Sequence, residues 1–286
     1  MQEKIMDEKE ANIKEKFAER YKSLLGEEYD VFIKYSLTFP RRSLRVNTLK
    51  ISVEKLKKRL EKKWELSQIP WCKGGFWIIH KKGERRDIGN LMEHQLGFFH
   101  VQESASMIPP LVLEPKPHEL VLDMCASPGS KSTQIAIMMK NNGLLVTNDY
   151  KGMRLKPLGI NLQKAGLTNT LTTLMDGNRF KGFQFDRILV DAPCSGTGTI
   201  RKSLKTLKIW NPNMISRLSL TQKSLIETGF NNLKKQGILV YSTCSMEPEE
   251  NEEVVSFLLE KYDNAKIQEI VLKINRSKPI TEFNNK

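Results

Sequence analysis

Two cysteines sit in motifs that could do covalent chemistry. Asp191-Ala192-Pro193-Cys194-Ser195-Gly196-Thr197-Gly198 sets a thiol shortly after a carboxylate. Tyr241-Ser242-Thr243-Cys244-Ser245 sets a second thiol among hydroxyls. Each cysteine follows a short apolar run, residues 185–190 and 237–240, that predicts a buried strand. Ligands of open α/β sheets bind outside the carboxyl ends of the strands. Two thiols delivered to that edge, one beside an acid, predict nucleophilic catalysis with Cys194, Cys244 and Asp191 as its groups.

A third strand end supplies a binding turn. Residues 119–123 are followed by Cys125-Ala126-Ser127-Pro128-Gly129-Ser130-Lys131, small residues leading into a helix. The segment is not a P-loop, because Cys125 and Ser130 stand where that loop needs glycine. It is not a dinucleotide fingerprint either, because only Gly129 is present. What remains is a tight turn and a helix N-terminus with free N–H groups, suited to a carboxylate or a sugar. Asp149 ends the next strand, placed to bind ribose hydroxyls, and Asp176 follows the third strand, placed toward a base. Four carboxylates, Asp123, Asp149, Asp176 and Asp191, therefore fall at four strand ends. A ligand with ribose, adenine and a carboxylate but no phosphate is S-adenosylmethionine.

These residues need a frame. From about residue 97, apolar strands alternate with helical stretches: strands at 119–123, 143–148, 170–174, 185–190, 237–242 and 267–272, and helices at 130–140, 151–165, 213–235 and 249–262. The alternation predicts a parallel doubly wound sheet. Ahead of it the pattern predicts helices at 5–25, stopped by Gly26, and at 28–37, a strand at 43–49, a helix at 55–63 capped by Ser52, and a strand at 75–80. The division expected is a small α+β unit over residues 1–90 and a catalytic domain over 91–286.

The chain has 286 residues and a net charge of +13, with 39% hydrophobic and 28% charged residues. Residues 41–86 hold 15 Lys and Arg against 4 Glu, with Trp64, Trp71, Phe76 and Trp77 interleaved. That is the footprint of a polyanion-binding face, or a basic surface over a small aromatic core. No apolar run of about 18 residues and no apolar leader segment occur, so neither a membrane partner nor secretion is expected, and the location expected is cytoplasmic. The four cysteines, Cys72, Cys125, Cys194 and Cys244, form no Cys-x-x-Cys, so no metal is expected.

The motifs resemble those of the Sun/RsmB-type (Nol/Nop/Sun) RNA cytosine-5 methyltransferases. The resemblance runs from about residue 43 to 260. It includes Ser43-Leu44-Arg45-Val46-Asn47-Thr48-Leu49-Lys50 and Gly97-Phe98-Phe99-His100-Val101-Gln102-Glu103. It includes the Cys125–Lys131 turn, with Ser127 and Ser130 replacing small residues of the family loop. Asp149 with Arg154, Leu158 and Asn161 fits the next block, and the two cysteine motifs fit the catalytic blocks. The resemblance implies a Rossmann-like class I methyltransferase sheet behind a small α+β RNA-binding domain, acting as a monomer on tRNA or rRNA. Its implied cofactor residues are Cys125, Ala126, Ser127, Pro128, Gly129, Ser130, Lys131, Asp149, Arg154, Asp176 and Asp191. The residues alone do not say which thiol attacks. The resemblance implies that Cys244 is the nucleophile, that Cys194 assists release, and that Asp191 contacts the cytosine ring. Lys131 is expected to position substrate or cofactor, or to be a surface lysine. Arg201 and Lys202 are expected to hold a phosphate. A dithiol oxidoreductase and a non-catalytic RNA-binding or assembly protein on the same fold are the alternatives.

Overall fold

The computed structural model describes residues 11–83, 87–277 and 280; the first part of the 5–25 helix expected from sequence lies outside them. Two helices, α1 (Glu15–Leu25) and α2 (Tyr29–Ser36), precede the sheets. Gly26, at φ +53°, ends α1 in a backbone state that side-chain-bearing residues disfavour. The apolar face of this pair does not join the small sheet that follows it in sequence. Phe17, Tyr21 and Leu37 pack against Ile200, Leu207, Trp210 and Ile215 of the catalytic region.

The small sheet contains β1 (Ser43–Val46), β2 (Trp64–Gln68), β3 (Gly75–His80) and β4 (Phe99–Val101), with α3 (Val53–Leu60) crossing after β1 and the single-turn α4 (Met92–Gln95) before β4. Its order is β2-β3-β1-β4, and every pairing is antiparallel. Ser52 caps α3 as expected, accepting from the Lys55 N–H at 3.3 Å. Leu56 and Leu60 face inward, so the lysines between them stay in solvent. Sequence reading misses β2 and β4. β4 has only three residues, too few to show alternation, and it carries the sheet past residue 90.

The parallel sheet frames the site. Its strands are β5 (Leu120–Asp123), β6 (Leu144–Asp149), β7 (Thr170–Leu174), β8 (Phe185–Asp191) and β9 (Leu233–Ser242), in the order β7-β6-β5-β8-β9. The helices are α5 (Ile108–Leu113), α6 (Ser130–Met138), α7 (Gly152–Ala165), the short α8 (Lys205–Ile209), α9 (Pro212–Asn231) and α10 (Glu252–Lys261). The Val, Ile and Leu runs of β5 and β8 are covered on both faces, as strands of a parallel sheet require. The order reverses between β5 and β8, so their carboxyl ends open a crevice at the switch point.

Two sequence expectations fail here. α9 ends at Asn231 and β9 begins at Leu233, because Leu233 pairs with Phe185 across a bulge near Arg187. Residues 267–272 form no strand: the segment is mostly apolar, but among the described residues no strand pairs with it, and Ile267 and Val271 are exposed. The small sheet docks on α6, which flanks the parallel sheet, through Arg45, 3% exposed. Its Nε donates to Gln102 Oε1 at 2.7 Å and its Nη2 to Thr133 Oγ1 at 2.8 Å, at the start of α6. Burial lowers the Arg45 pKa to about 10.

Candidate active site

The ends of β8 and β9 bring the two cysteine motifs together. Asp191 pairs with Ser242 in the last register of these strands, so the loops leaving them emerge side by side. Cys194 Sγ and Cys244 Sγ are 3.0 Å apart, both as free thiols, and the Cys244 N–H donates to Cys194 Sγ at 3.3 Å. Cys244 is exposed and Cys194 half-buried. The sulfur–sulfur hydrogen bond splits the pair. It lowers the Cys244 pKa to about 7, against burial and Asp191, with Lys131 and Lys202 helping; it raises that of Cys194, as does burial. The exposed sulfur is therefore the more acidic of the two.

Asp191 is held from two sides. Lys131 Nζ lies 2.7 Å from its Oδ2, and Ser242 Oγ donates to its Oδ1 at 2.8 Å. Lys131, at the first turn of α6, thus faces Asp191; the surface-lysine alternative does not describe it.

The turn from Cys125 to Lys131 bridges β5, α6 and α7. Gly129 takes φ +100°, and a Cβ there would sit 2.9 Å from Leu158 Cδ1. Arg154 Nη2 donates to the Ser127 carbonyl at 2.7 Å, Ser127 Oγ donates to the Arg154 carbonyl at 2.8 Å, and Asn161 Nδ2 donates to the Pro128 carbonyl at 2.8 Å. Arg154 therefore shapes the turn, while its Nε lies 3.4 Å from Asp149 Oδ2. Ala126 is buried, and Ser130 opens α6. Cys125 packs against the strand ends, where burial and neighbouring aspartates push its thiol up, away from reactivity.

Asp149 is 1% exposed. Its Oδ1 accepts from the Lys151 N–H at 3.0 Å, but its buried Oδ2 has no hydrogen-bond donor. Asp123 Oδ1 and Asn178 Oδ1 are likewise buried without a donor. Burial pushes Asp123 up to about 7, opposed by the Ser132 hydroxyl on its other oxygen. Three buried acceptors without a hydrogen-bond donor, at the ends of β5 and β6 and in the turn after β7, fit a ligand rich in donors, as hydroxyls and an ammonium are. Asp176 is exposed, and its Oδ1 accepts from the Asn178 N–H at 3.0 Å, a turn-capping role that leaves one oxygen open.

Several sequence expectations change. Arg201 is not offered to a phosphate: its Nε donates to the Thr38 carbonyl at 3.1 Å and its Nη2 to Thr38 Oγ1 at 3.0 Å. Lys202 pairs with Glu103 and acts on Cys244 through space. Trp64 and Phe76 are core, while Trp71 and Trp77 are half-buried, with Arg41 stacked 4.6 Å above Trp77. Sequence reading passes over two buried glutamates. Glu247 accepts from Tyr21 Oη and Trp210 Nε1, both at 2.9 Å, and from Arg20 Nε at 2.8 Å, tying α1 to the Cys244 loop. Glu250 binds the loops of both thiols. Their signal is a carboxylate-rich turn directly after the Cys244 motif, where charge would otherwise be read as solvated surface.

The comparisons fit this geometry. Residues 110–283 match the family described as 16S rRNA methyltransferase RsmB/F, and residues 13–104 match the N-terminal domain of 16S rRNA methyltransferase RsmF. The chain belongs to the RsmB/F methyltransferase family. Among its relatives, the tRNA (cytosine(49)-C(5))-methyltransferase of Pyrococcus abyssi is 44% identical over 283 residues, 97% of this chain and 89% of that protein. The ribosomal RNA small subunit methyltransferase F of Vibrio atlanticus is 47% identical over 231 residues, 79% of this chain. This chain spans about half the length of that bacterial relative (49%). The structure of NSun6 from Pyrococcus horikoshii, solved with SFG, an analogue of S-adenosylmethionine, superposes with a TM-score of 0.79 at 25% identity over 87% of each chain. Among the described residues, no helix is long and apolar enough to cross a membrane, and no cluster of His, Cys, Asp and Glu is arranged to hold a metal.

Proposed function

We propose that this RsmB/F-family enzyme transfers a methyl group from S-adenosylmethionine to carbon 5 of a cytosine in RNA through a covalent cysteine adduct. The observation that carries the reading is the thiol pair beside the Lys131–Asp191 ion pair, at the switch point of the sheet. When bound, S-adenosylmethionine supplies an electrophilic methyl group. The turn from Cys125 to Lys131 and the orphaned oxygens of Asp123 and Asp149 would hold it, with Asp176 toward the base.

Carbon 5 of cytosine is a weak nucleophile. Addition of the Cys244 thiolate at carbon 6 makes the ring an enamine and so activates carbon 5. Cys244 is suited to this, being exposed and holding its proton weakly near neutral pH. Asp191, fixed by Lys131 and Ser242, is placed to hydrogen-bond the ring edge and favour its protonated form. After transfer, the proton on carbon 5 must leave so that the carbon–sulfur bond can break. Cys194, beside Cys244, is the group placed to assist that release. The target base must leave its stack to reach these groups. The exposed lysines of α3 supply charge for the RNA backbone.

The relative matched over 97% of this chain is named for tRNA, so tRNA is the first substrate to test. Incubation with labelled S-adenosylmethionine and unmodified tRNA or 16S rRNA transcripts, then digestion and nucleoside chromatography, should yield labelled 5-methylcytidine. Label absent from both RNAs, or on another nucleoside, refutes the proposal.

A further inference from the structure

The turn Pro248–Glu250 carries a carboxylate that the reaction chemistry above does not use. Glu250 is 0% exposed. Its Oε1 accepts from the Ser195 N–H and from Gln222 Nε2, both at 2.9 Å. Its Oε2 accepts from the hydroxyls of Ser195 and Ser245. Ser195 follows Cys194 and Ser245 follows Cys244, and their hydroxyl oxygens are 3.0 Å apart. One carboxylate therefore grips both thiol loops, one residue beyond each sulfur.

The grip extends on either side. Gln222 Nε2, reaching from α9, also donates to the Pro193 carbonyl at 2.8 Å, just ahead of Cys194. Tyr241 Oη, near the end of β9, donates to the Glu250 carbonyl at 2.6 Å. A carboxylate can only accept, so the polarity of its bonds is fixed, and bonds to an ionised acceptor are about twice as strong as neutral ones. The direct link between the loops at the sulfurs is weaker, since a thiol is a poor donor and a poor acceptor. Both cysteines lie outside helix and strand, so their separation is set by what holds their neighbours.

We propose that Glu250 is a positioning residue that fastens the Cys194 and Cys244 loops together and so fixes the distance between the two sulfurs. It acts through Ser195 and Ser245. Its consequence for turnover rests on the methyltransferase reading; the clamp itself does not.

The test is the pH profile of Cys244 alkylation by iodoacetamide, followed on the Cys244 peptide by mass spectrometry in the full chain without RNA or cofactor. Two variants are compared after circular dichroism confirms folding. Glu250→Ala removes the clamp. Ser245→Ala removes one arm and keeps the charge, and it decides the question if Glu250→Ala does not fold. If the clamp holds the sulfurs together, the midpoint rises by about one unit in Glu250→Ala, toward that of an isolated thiol, and moves the same way in Ser245→Ala. Removing a negative charge near a thiol would by itself lower the midpoint, so the direction separates positioning from electrostatics. Turnover should fall at least about tenfold, with the KM for S-adenosylmethionine within about twofold of wild type. A midpoint at or below wild type in the folded variants overturns the proposal. An inactive wild-type protein would count against the methyltransferase reading and leave the alkylation profile to decide the clamp.

Discussion

Replacing Cys194 with alanine removes the hydrogen bond that is the largest cause of the low Cys244 pKa. The thiols are 3.0 Å apart, and the Cys244 pKa is lowered to about 7. Without its partner, Cys244 should return toward the ordinary thiol value of about 8.5, a change of roughly 1.5 units or about 2 kcal/mol. At pH 7 the thiolate fraction then drops from about one half to about 3%. A more basic thiolate is also intrinsically more reactive, by about fivefold for this shift, so the net alkylation rate at pH 7 falls only about threefold. Above about pH 8 the order reverses and the variant alkylates faster. The assay is iodoacetamide labelling of Cys244 between pH 6 and 10, and the decisive quantity is the midpoint. A variant midpoint within about 0.3 units of wild type would show that Cys194 does not support the Cys244 thiolate, and the reasoning would fall.

Three further outcomes are expected. With cofactor and labelled RNA, Cys194→Ala should accumulate a covalent RNA adduct on denaturing gels and Cys244→Ala should form none; the reverse pattern would exchange their roles. Asp149→Ala should weaken S-adenosylmethionine binding by about 1–3 kcal/mol in calorimetry, because it removes the buried oxygen left open for a donor; unchanged affinity would remove Asp149 from the site. Asp123 has its pKa raised from 3.8 to about 7, so its contribution is complete below about pH 4 and is lost as pH rises through 7. The ligand-free protein should therefore lose stability between pH 5 and 8 by an amount that shrinks in Asp123→Asn, and equal losses by thermal denaturation would refute this.

The sequence by itself determined the elements whose signal is local. The apolar runs of β5, β6 and β8 declare buried parallel strands, and the Gly26 stop and the Ser52 cap are read from single residues. The two cysteine motifs and the turn from Cys125 to Lys131 are legible as candidate site segments because each lies at a strand end, and strand ends are where such a sheet binds ligands. Residues 267–272 show the limit of local signal: β-branched and apolar residues give a segment the capacity to be a strand, but only a paired neighbour makes it one.

Tertiary structure decided every relation between groups far apart in the chain. It set the Cys194–Cys244 contact, turned Lys131 onto Asp191, and joined Ser195 to Ser245 through Glu250. It turned Arg201 inward onto Thr38, although its sequence neighbourhood suggests a phosphate contact. It also packed α1 and α2 on the catalytic region rather than on the small sheet beside them in sequence. The physical reason is common to all of these. A charged or polar side chain is read from sequence as solvated, and only the packing of distant elements decides whether it is buried and which donors and acceptors it meets there.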